Sequence, residues 1–172
     1  PSHSLDYNRE LDSLRGVAVL LVLLFHIYPN LFSFGYVGVD IFFVLSGYLI
    51  TGIIISKIDS GTFSFLEFYR NRIRRILPAM LIVLLTSMIA GYIFLFPKEL
   101  ELFSKHLKSS FLFYQNITLI NEAGYWDEES IKKPLLHFWS LSIEEQFYLF
   151  WPLILVIFAK INRSWTTKLV VL

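Results

Sequence analysis

Cysteine is absent from the 172 residues. That excludes a disulfide framework, a thiolate metal site and a cysteine nucleophile. Charge is also scarce, at 17% of residues, where soluble domains carry about 25%. The formal net charge is only +1, and no long run of one sign offers a surface for nucleic acid. What fills the chain instead is apolar: 55% hydrophobic and 17% aromatic residues, with a mean hydropathy of +0.58. Such an excess needs a solvent other than water. The chain opens on Pro1 rather than Met and closes in the apolar run Leu169-Val170-Val171-Leu172, so the natural protein is expected to continue beyond both ends.

A spanning helix needs about 20 mostly apolar residues. Four segments qualify, near 14–32, 36–56, 76–96 and 137–159. The first is no cleaved signal peptide: Tyr28-Pro29-Asn30-Leu31-Phe32 follows it in place of small residues, and further apolar runs come later. Pro29-Asn30 is a turn that ends the first helix. Pro78 is expected at the start of the third helix, where a missing N–H costs nothing. Pro97 ends that helix, and Pro152 lies inside the fourth. The expected fold is therefore all-α, a polytopic transmembrane bundle of about four spanning helices. The stretch 102–120 is amphipathic and is expected to form an interfacial helix within an extracytoplasmic loop over 97–136.

Lys and Arg placement sets the orientation. The segment between spans two and three holds Lys57, Arg70, Arg72, Arg74 and Arg75. Arg9 and Arg15 flank the first span, and Lys160, Arg163 and Lys168 follow the last. These regions are assigned to the cytoplasm, with the N-terminus. The loop 97–136 mixes lysines with Glu99, Glu101, Glu122, Asp127, Glu128 and Glu129 and falls outside.

Three constellations can carry chemistry. Arg15 and His26 stand eleven positions apart. On a helix that is about 16 Å of rise with only about 20° between them, so they share a face. Arg15 at the interface and His26 as an end cap is the ordinary alternative. As chemistry, His26 suits a general base toward a hydroxyl, because histidine titrates near neutrality. Arg72 and Arg75, three apart, share a helix face and offer two guanidinium forks to phosphates; orienting the helix is their plainer role. In the stretch from His137 to Tyr148, residues His137, Ser140, Glu144, Tyr148 and Trp151 form one stripe, with Glu145 beside it. A carboxylate at mid-membrane costs roughly 2.5–3.5 kcal/mol, so Glu144 and Glu145 either orient His26 or an arginine, bind an acceptor, or face water at the outer interface. Asp40 can line a cavity with Ser46, whereas Gly38, Ser46 and Gly47 allow close helix packing. Asn116-Ile117-Thr118 matches a glycosylation sequon, a weak pattern. No compact spacing among His26, His137 and the glutamates suits a metal.

The stretches Tyr7 to His26 (YNRELDSLRGVAVLLVLLFH), Gly35 to Thr51 (GYVGVDIFFVLSGYLIT), Phe68 to Ala79 (FYRNRIRRILPA) and Pro134 to Pro152 (PLLHFWSLSIEEQFYLFWP) together resemble the acyltransferase-3 family of polytopic bacterial O-acyltransferases. Phe96-Pro97-Lys98-Glu99-Leu100, Asn116 and Gly124-Tyr125 extend the resemblance over nearly all of the chain; Asn8-Arg9 departs from it locally. The family's arginine-x10-histidine motif falls on Arg15 and His26, and its arginine-x-x-arginine motif on Arg72 and Arg75. The resemblance implies about ten spanning helices, of which 1–172 would be the N-terminal part, inactive alone.

It also implies transfer of an acyl group, in the first instance acetyl, from cytoplasmic acyl-CoA to a hydroxyl of a cell-surface carbohydrate such as O-antigen, peptidoglycan or exopolysaccharide. On that reading Arg15, His26, Glu144 and Glu145 are catalytic. Arg72 and Arg75 bind the donor, Asp40, His137, Ser140 and Tyr148 bind the acceptor, and no metal takes part. The expected location is the bacterial inner membrane, with membrane lipid as partner. A transporter or flippase for lipid-linked sugars is the alternative.

Overall fold

The computed structural model describes residues 9–123, 133 and 135–161. Arg163, Lys168, Gly124, Tyr125, Pro134 and the acids Asp127, Glu128 and Glu129 lie outside the described residues. Six α-helices follow one another: α1 (Arg9–Ile27), α2 (Val37–Asp59), α3 (Phe65–Phe94), α4 (Pro97–Phe111), α5 (Gln115–Glu122) and α6 (Phe138–Ile161), with a 3-10 turn at Ser33–Tyr36 leading into α2. No strand occurs among the described residues. Three stretches, Ser33–Asp59, Phe65–Phe94 and Phe138–Ile161, are long and apolar enough to cross a membrane, so the chain is an all-α, multi-pass membrane protein. Helix α1 stops at Ile27, short of residue 32, because the chain turns at Pro29 with Tyr28 O accepting from Leu31 N and Phe32 N.

Two expectations need correction. The arginine segment is not a linker: α3 begins at Phe65, capped by the Ser64 hydroxyl accepting from Glu67 N at 3.4 Å. Arg70, Arg72, Arg74 and Arg75 therefore ride on the helix, and Pro78 lies within it rather than at its start. The stretch 102–120 is two helices, not one. Helix α4 ends in a Schellman turn, Tyr114 N bonding Ser109 O at 2.9 Å and Phe113 N bonding Ser110 O at 3.3 Å. The left-handed position of that turn, usually glycine, is filled by Phe113 at φ 56°.

The helices fall into two units, one of α1, α2 and the C-terminal part of α6, the other of α3, α4, α5 and the N-terminal part of α6. In the first, glycine lets α1 and the start of α2 touch backbone to backbone. A Cβ at Gly35 would lie 2.3 Å from Leu21 O, and one at Gly38 2.5 Å from Ala18 O. Ala18 is fully buried there. Gly47, expected to serve packing in the same way, has open space where a side chain would go. From α6, Trp151 Nε1 donates to Thr51 Oγ1 at 2.7 Å, and Thr51 in turn donates to Gly47 O at 2.6 Å. In the second unit the chain folds back after α3, and Phe103 of α4 lies on Gly91 of α3, a ring carbon 2.7 Å from where a Cβ would stand. Met80, Leu84, Phe103 and Leu135 form the core around that contact.

Gly38→Val should therefore force α1 and α2 apart and lower stability by about 1–3 kcal/mol, while Gly47→Ala should be neutral or slightly stabilising. Thermal unfolding in detergent, followed by size-exclusion fluorescence, checks the pair; equal melting of the two variants would contradict the close-approach argument.

Candidate functional site

The helical hairpin of the first unit presents Arg15 and His26. They sit on one continuous helix, so their shared face and about 16 Å separation along the axis stand. The Arg15 guanidinium is tied to Asp12 at 3.1 Å, one turn back and partly exposed. Sequence reasoning passed over Asp12, although its i, i+3 spacing to Arg15 is the signal for such a pair. His26 bonds the carbonyl of Val22 through Nδ1 at 2.7 Å. A carbonyl only accepts, so Nδ1 carries the proton and the neutral ring has its basic lone pair on Nε2. Phe25 holds the ring edge-on at 5.4 Å and packs in turn on Tyr36. Asp40 is exposed on the first turn of α2. It lies two residues beyond Gly38, which contacts Ala18 and Val22, and so nearer the Arg15 end of the hairpin than His26 is.

The second unit brings α3 and α6 together at Arg72. Its guanidinium stacks over Phe68 of its own helix at 5.9 Å and over Tyr148 of α6 at 5.4 Å. Such contacts favour a partly desolvated cation. The Tyr148 hydroxyl donates to Glu144 one turn earlier, and Tyr148 itself is buried. Glu145 stands within Coulombic range of both Glu144 and Arg72. Arg72 Nε and Glu145 Oε1 are buried with no hydrogen-bond partner among the described residues. Arg75, by contrast, is exposed, as are Arg70 and Arg74.

The two forks expected of Arg72 and Arg75 thus differ in their surroundings: one guanidinium lies over two rings and the other is exposed. Of the roles expected of the glutamates, orienting an arginine has a geometric counterpart, since Glu145 stands within Coulombic range of Arg72. His137 precedes α6 in a turn rather than joining the stripe as a helical residue, and its carbonyl accepts from Ser140 Oγ at 3.1 Å. That bond takes the Ser140 proton and leaves its hydroxyl oxygen able to accept.

A third group was not read from the sequence at all. His106 of α4, 1% exposed, accepts at Nδ1 from Gln115 Nε2 at 2.6 Å. Its Nε2 lies 3.2 Å from Glu122 Oε2, off the line of a hydrogen bond. Glu122 also takes Lys105 at 2.6 Å and Lys133 at 3.3 Å. Ser109 donates to Gln115 Oε1, and Gln115 N donates to Ser142 Oγ at 3.2 Å. One turn along, Gln146 and Asn116 exchange amide bonds, and Gln146 Nε2 also reaches Phe113 O at 2.7 Å. Asn116 is therefore a clasp between α5 and α6 and not a free sequon side chain.

Burial pushes His106 below its ordinary pKa, against the pull of Glu122 and the Gln115 bond. Burial opposes the charge of Glu122, but Lys105, His106 and Lys133 outweigh it and hold its carboxyl below the usual range.

Residues 8–172 match the family described as "Acyltransferase domain". The chain is 36% identical over 160 residues to the peptidoglycan O-acetyltransferase OatA of Listeria monocytogenes, covering 92% of this chain and 26% of that protein. It is 40% identical over 157 residues to YrhL of Bacillus subtilis, provisionally named a peptidoglycan O-acetyltransferase, covering 90% of this chain and 24% of that one. An uncharacterized protein of Haemophilus influenzae is 44% identical over 126 residues, 73% of this chain and 51% of that one. The chain thus spans about a quarter of the length of the first two relatives. No solved structure matches it significantly.

The polar group at His106 makes the α4–α5 region acid-sensitive. A histidine whose folded pKa is depressed stabilises the fold above its ordinary value near 6.5 and loses that contribution as pH falls below it; the depressed Glu122 acts likewise at lower pH. Amide hydrogen exchange in α4 and α5 should therefore speed up from pH 7 to pH 5 beyond the intrinsic change. His106→Gln should weaken protection at pH 7 and flatten that dependence. An unchanged pH dependence in the variant would refute the assignment.

Proposed function

Because the chain belongs to the acyltransferase-domain family, we propose that it moves an acyl group, acetyl in the first instance, from a cytoplasmic acyl-CoA to a hydroxyl of a cell-surface carbohydrate. The relatives' peptidoglycan O-acetyltransferase names make a glycan of the envelope the acceptor to test first. The observation that carries the reading is the tautomer of His26: with Nδ1–H given to Val22 O at 2.7 Å, Nε2 is the base. It takes the proton of the acceptor hydroxyl as that oxygen attacks the thioester carbonyl carbon. The C–S bond then breaks, and the proton passes on to the departing thiolate. Arg15, steadied by Asp12, supplies positive charge on the same helix face. The exposed guanidinium of Arg75, with those of Arg70 and Arg74, meets the donor's phosphates.

Helix α1 has 19 residues. With Arg9, Glu10, Asp12 and Arg15 at the cytoplasmic interface, the stretch from Gly16 to Ile27 rises about 18 Å into a hydrocarbon core of about 30 Å. The membrane is the bacterial inner membrane, and the N-terminus is cytoplasmic, in keeping with Lys57 at the end of α2 and the arginines in the first turns of α3.

His26→Ala in the full-length protein should abolish O-acetylation of the envelope glycan while membrane expression persists, read by mass spectrometry of purified glycan. Undiminished acetylation would remove His26 from the reaction. A protein that needs a proton gradient and no acyl-CoA would instead be a transporter. The absence of cysteine from these residues allows a topology test. Ser60→Cys should react with a membrane-impermeant maleimide only in inverted vesicles, and Ser33→Cys only in spheroplasts. The reverse pattern would invert the orientation.

A further inference from the structure

Arg72 and Arg75 are three residues apart on α3, yet their surroundings differ in a way that separates their work. A phosphate-binding guanidinium needs its N–H edge open and a positive local potential. Arg75 has the first and, beside Arg74, the second. Arg72 lacks the second. Its guanidinium lies over the rings of Phe68 and Tyr148, and its single positive charge stands near Glu144 and Glu145. When both carboxyls are ionised the cluster is net negative, and a phosphate brought there meets repulsion.

Two atoms in this cluster lack a partner among the described residues. Arg72 Nε–H is a donor and Glu145 Oε1 an acceptor, both buried. Buried polar atoms without a bond are costly, and an unmet donor within Coulombic range of an unmet acceptor suits a neutral group that offers both. A secondary amide does so: its C=O accepts from Arg72 and its N–H donates to Glu145. Tyr148 positions Arg72: its ring carries the guanidinium, while its hydroxyl is bound to Glu144 of its own helix.

We propose that Arg72, aligned by Tyr148, and Glu145 form a subsite for an amide of the donor's pantetheine arm, distinct from the phosphate contacts made by Arg75. The inference rests on the reading that the donor is an acyl-CoA, whose pantetheine arm carries two secondary amides. It makes Tyr148 a positioning residue for Arg72 in place of an acceptor contact, and it gives Glu145 a role toward the donor.

The test uses the full-length protein in proteoliposomes with two donors, acetyl-CoA and S-acetylpantetheine, the latter without phosphates. Arg75→Ala should raise KM for acetyl-CoA and leave KM for S-acetylpantetheine unchanged. Arg72→Lys and Glu145→Gln should raise KM for both donors by the same factor, roughly ten- to hundredfold for a hydrogen bond to a charged group. A defect of Arg72→Lys confined to acetyl-CoA would return Arg72 to the phosphates and overturn the subsite.

Competition in the wild-type protein avoids any question of folding. Pantetheine should compete with acetyl-CoA, and 2-mercaptoethanol, which has no amide, should not. If acetyl-CoA supports transfer and pantetheine fails to compete, the subsite falls and the donor reading stands. If the wild type uses neither donor, the donor reading itself fails.

Discussion

A polar side chain on a helix in hydrocarbon must satisfy its hydrogen bonds within the protein, and this chain does so chiefly by bonding backward onto its own helix. His26 bonds Val22 O, Thr51 donates to Gly47 O, Thr86 to Ile82 O and Ser142 to Phe138 O, each four residues back. The habit keeps the outer faces of the helices apolar while polar groups ride on them. It also leaves some atoms committed and others available. The Thr51 hydroxyl, having donated, still accepts from Trp151, and the Ser142 hydroxyl still accepts from Gln115 N. Contacts between helices are thus made with the second valence of groups whose first is met locally. The same logic defines the tautomer of His26.

Charge is handled by the complementary rule that a desolvated ion needs a partner close by. Arg15 has Asp12, and Glu122 gathers Lys105, Lys133 and His106. Arg72 is the exception that points to function, because aromatic faces and nearby carboxylates hold it without completing its hydrogen bonds.

The apolar runs were legible because composition alone marks a helix that meets lipid, and α2 and α6 lie where the hydropathy puts them. The start of α3 was not, since a dense run of arginine reads as a solvated linker until Phe65, Phe68 and Tyr69 are seen to interleave with it at helical spacing. The break at Phe113 was hidden for a different reason: the left-handed position that normally announces itself with glycine carries a large aromatic residue. Its carbonyl is fixed instead by Gln146, thirty-three positions away. In the site, residue types were readable and company was not. The stripe from Ser140 to Trp151 correctly grouped Glu144 with Tyr148, but nothing in a single helix's periodicity says that Arg72 would lie across that tyrosine.

The bond from Trp151 to Thr51 joins positions 100 residues apart, whereas the contacts of Gly35 and Gly38 on α1 span only about ten to twenty positions. During synthesis the first two helices can therefore associate as soon as both have entered the bilayer. The Thr51 hydroxyl then stands with its proton given to Gly47 O and its accepting side unused by Trp151 until the sixth helix is delivered. Assembly acquires an order from this: an early hairpin, a long wait, and a late closure whose entropic cost grows only slowly with the length of the intervening chain. A chain interrupted within that interval leaves in the membrane a paired but unfinished wall.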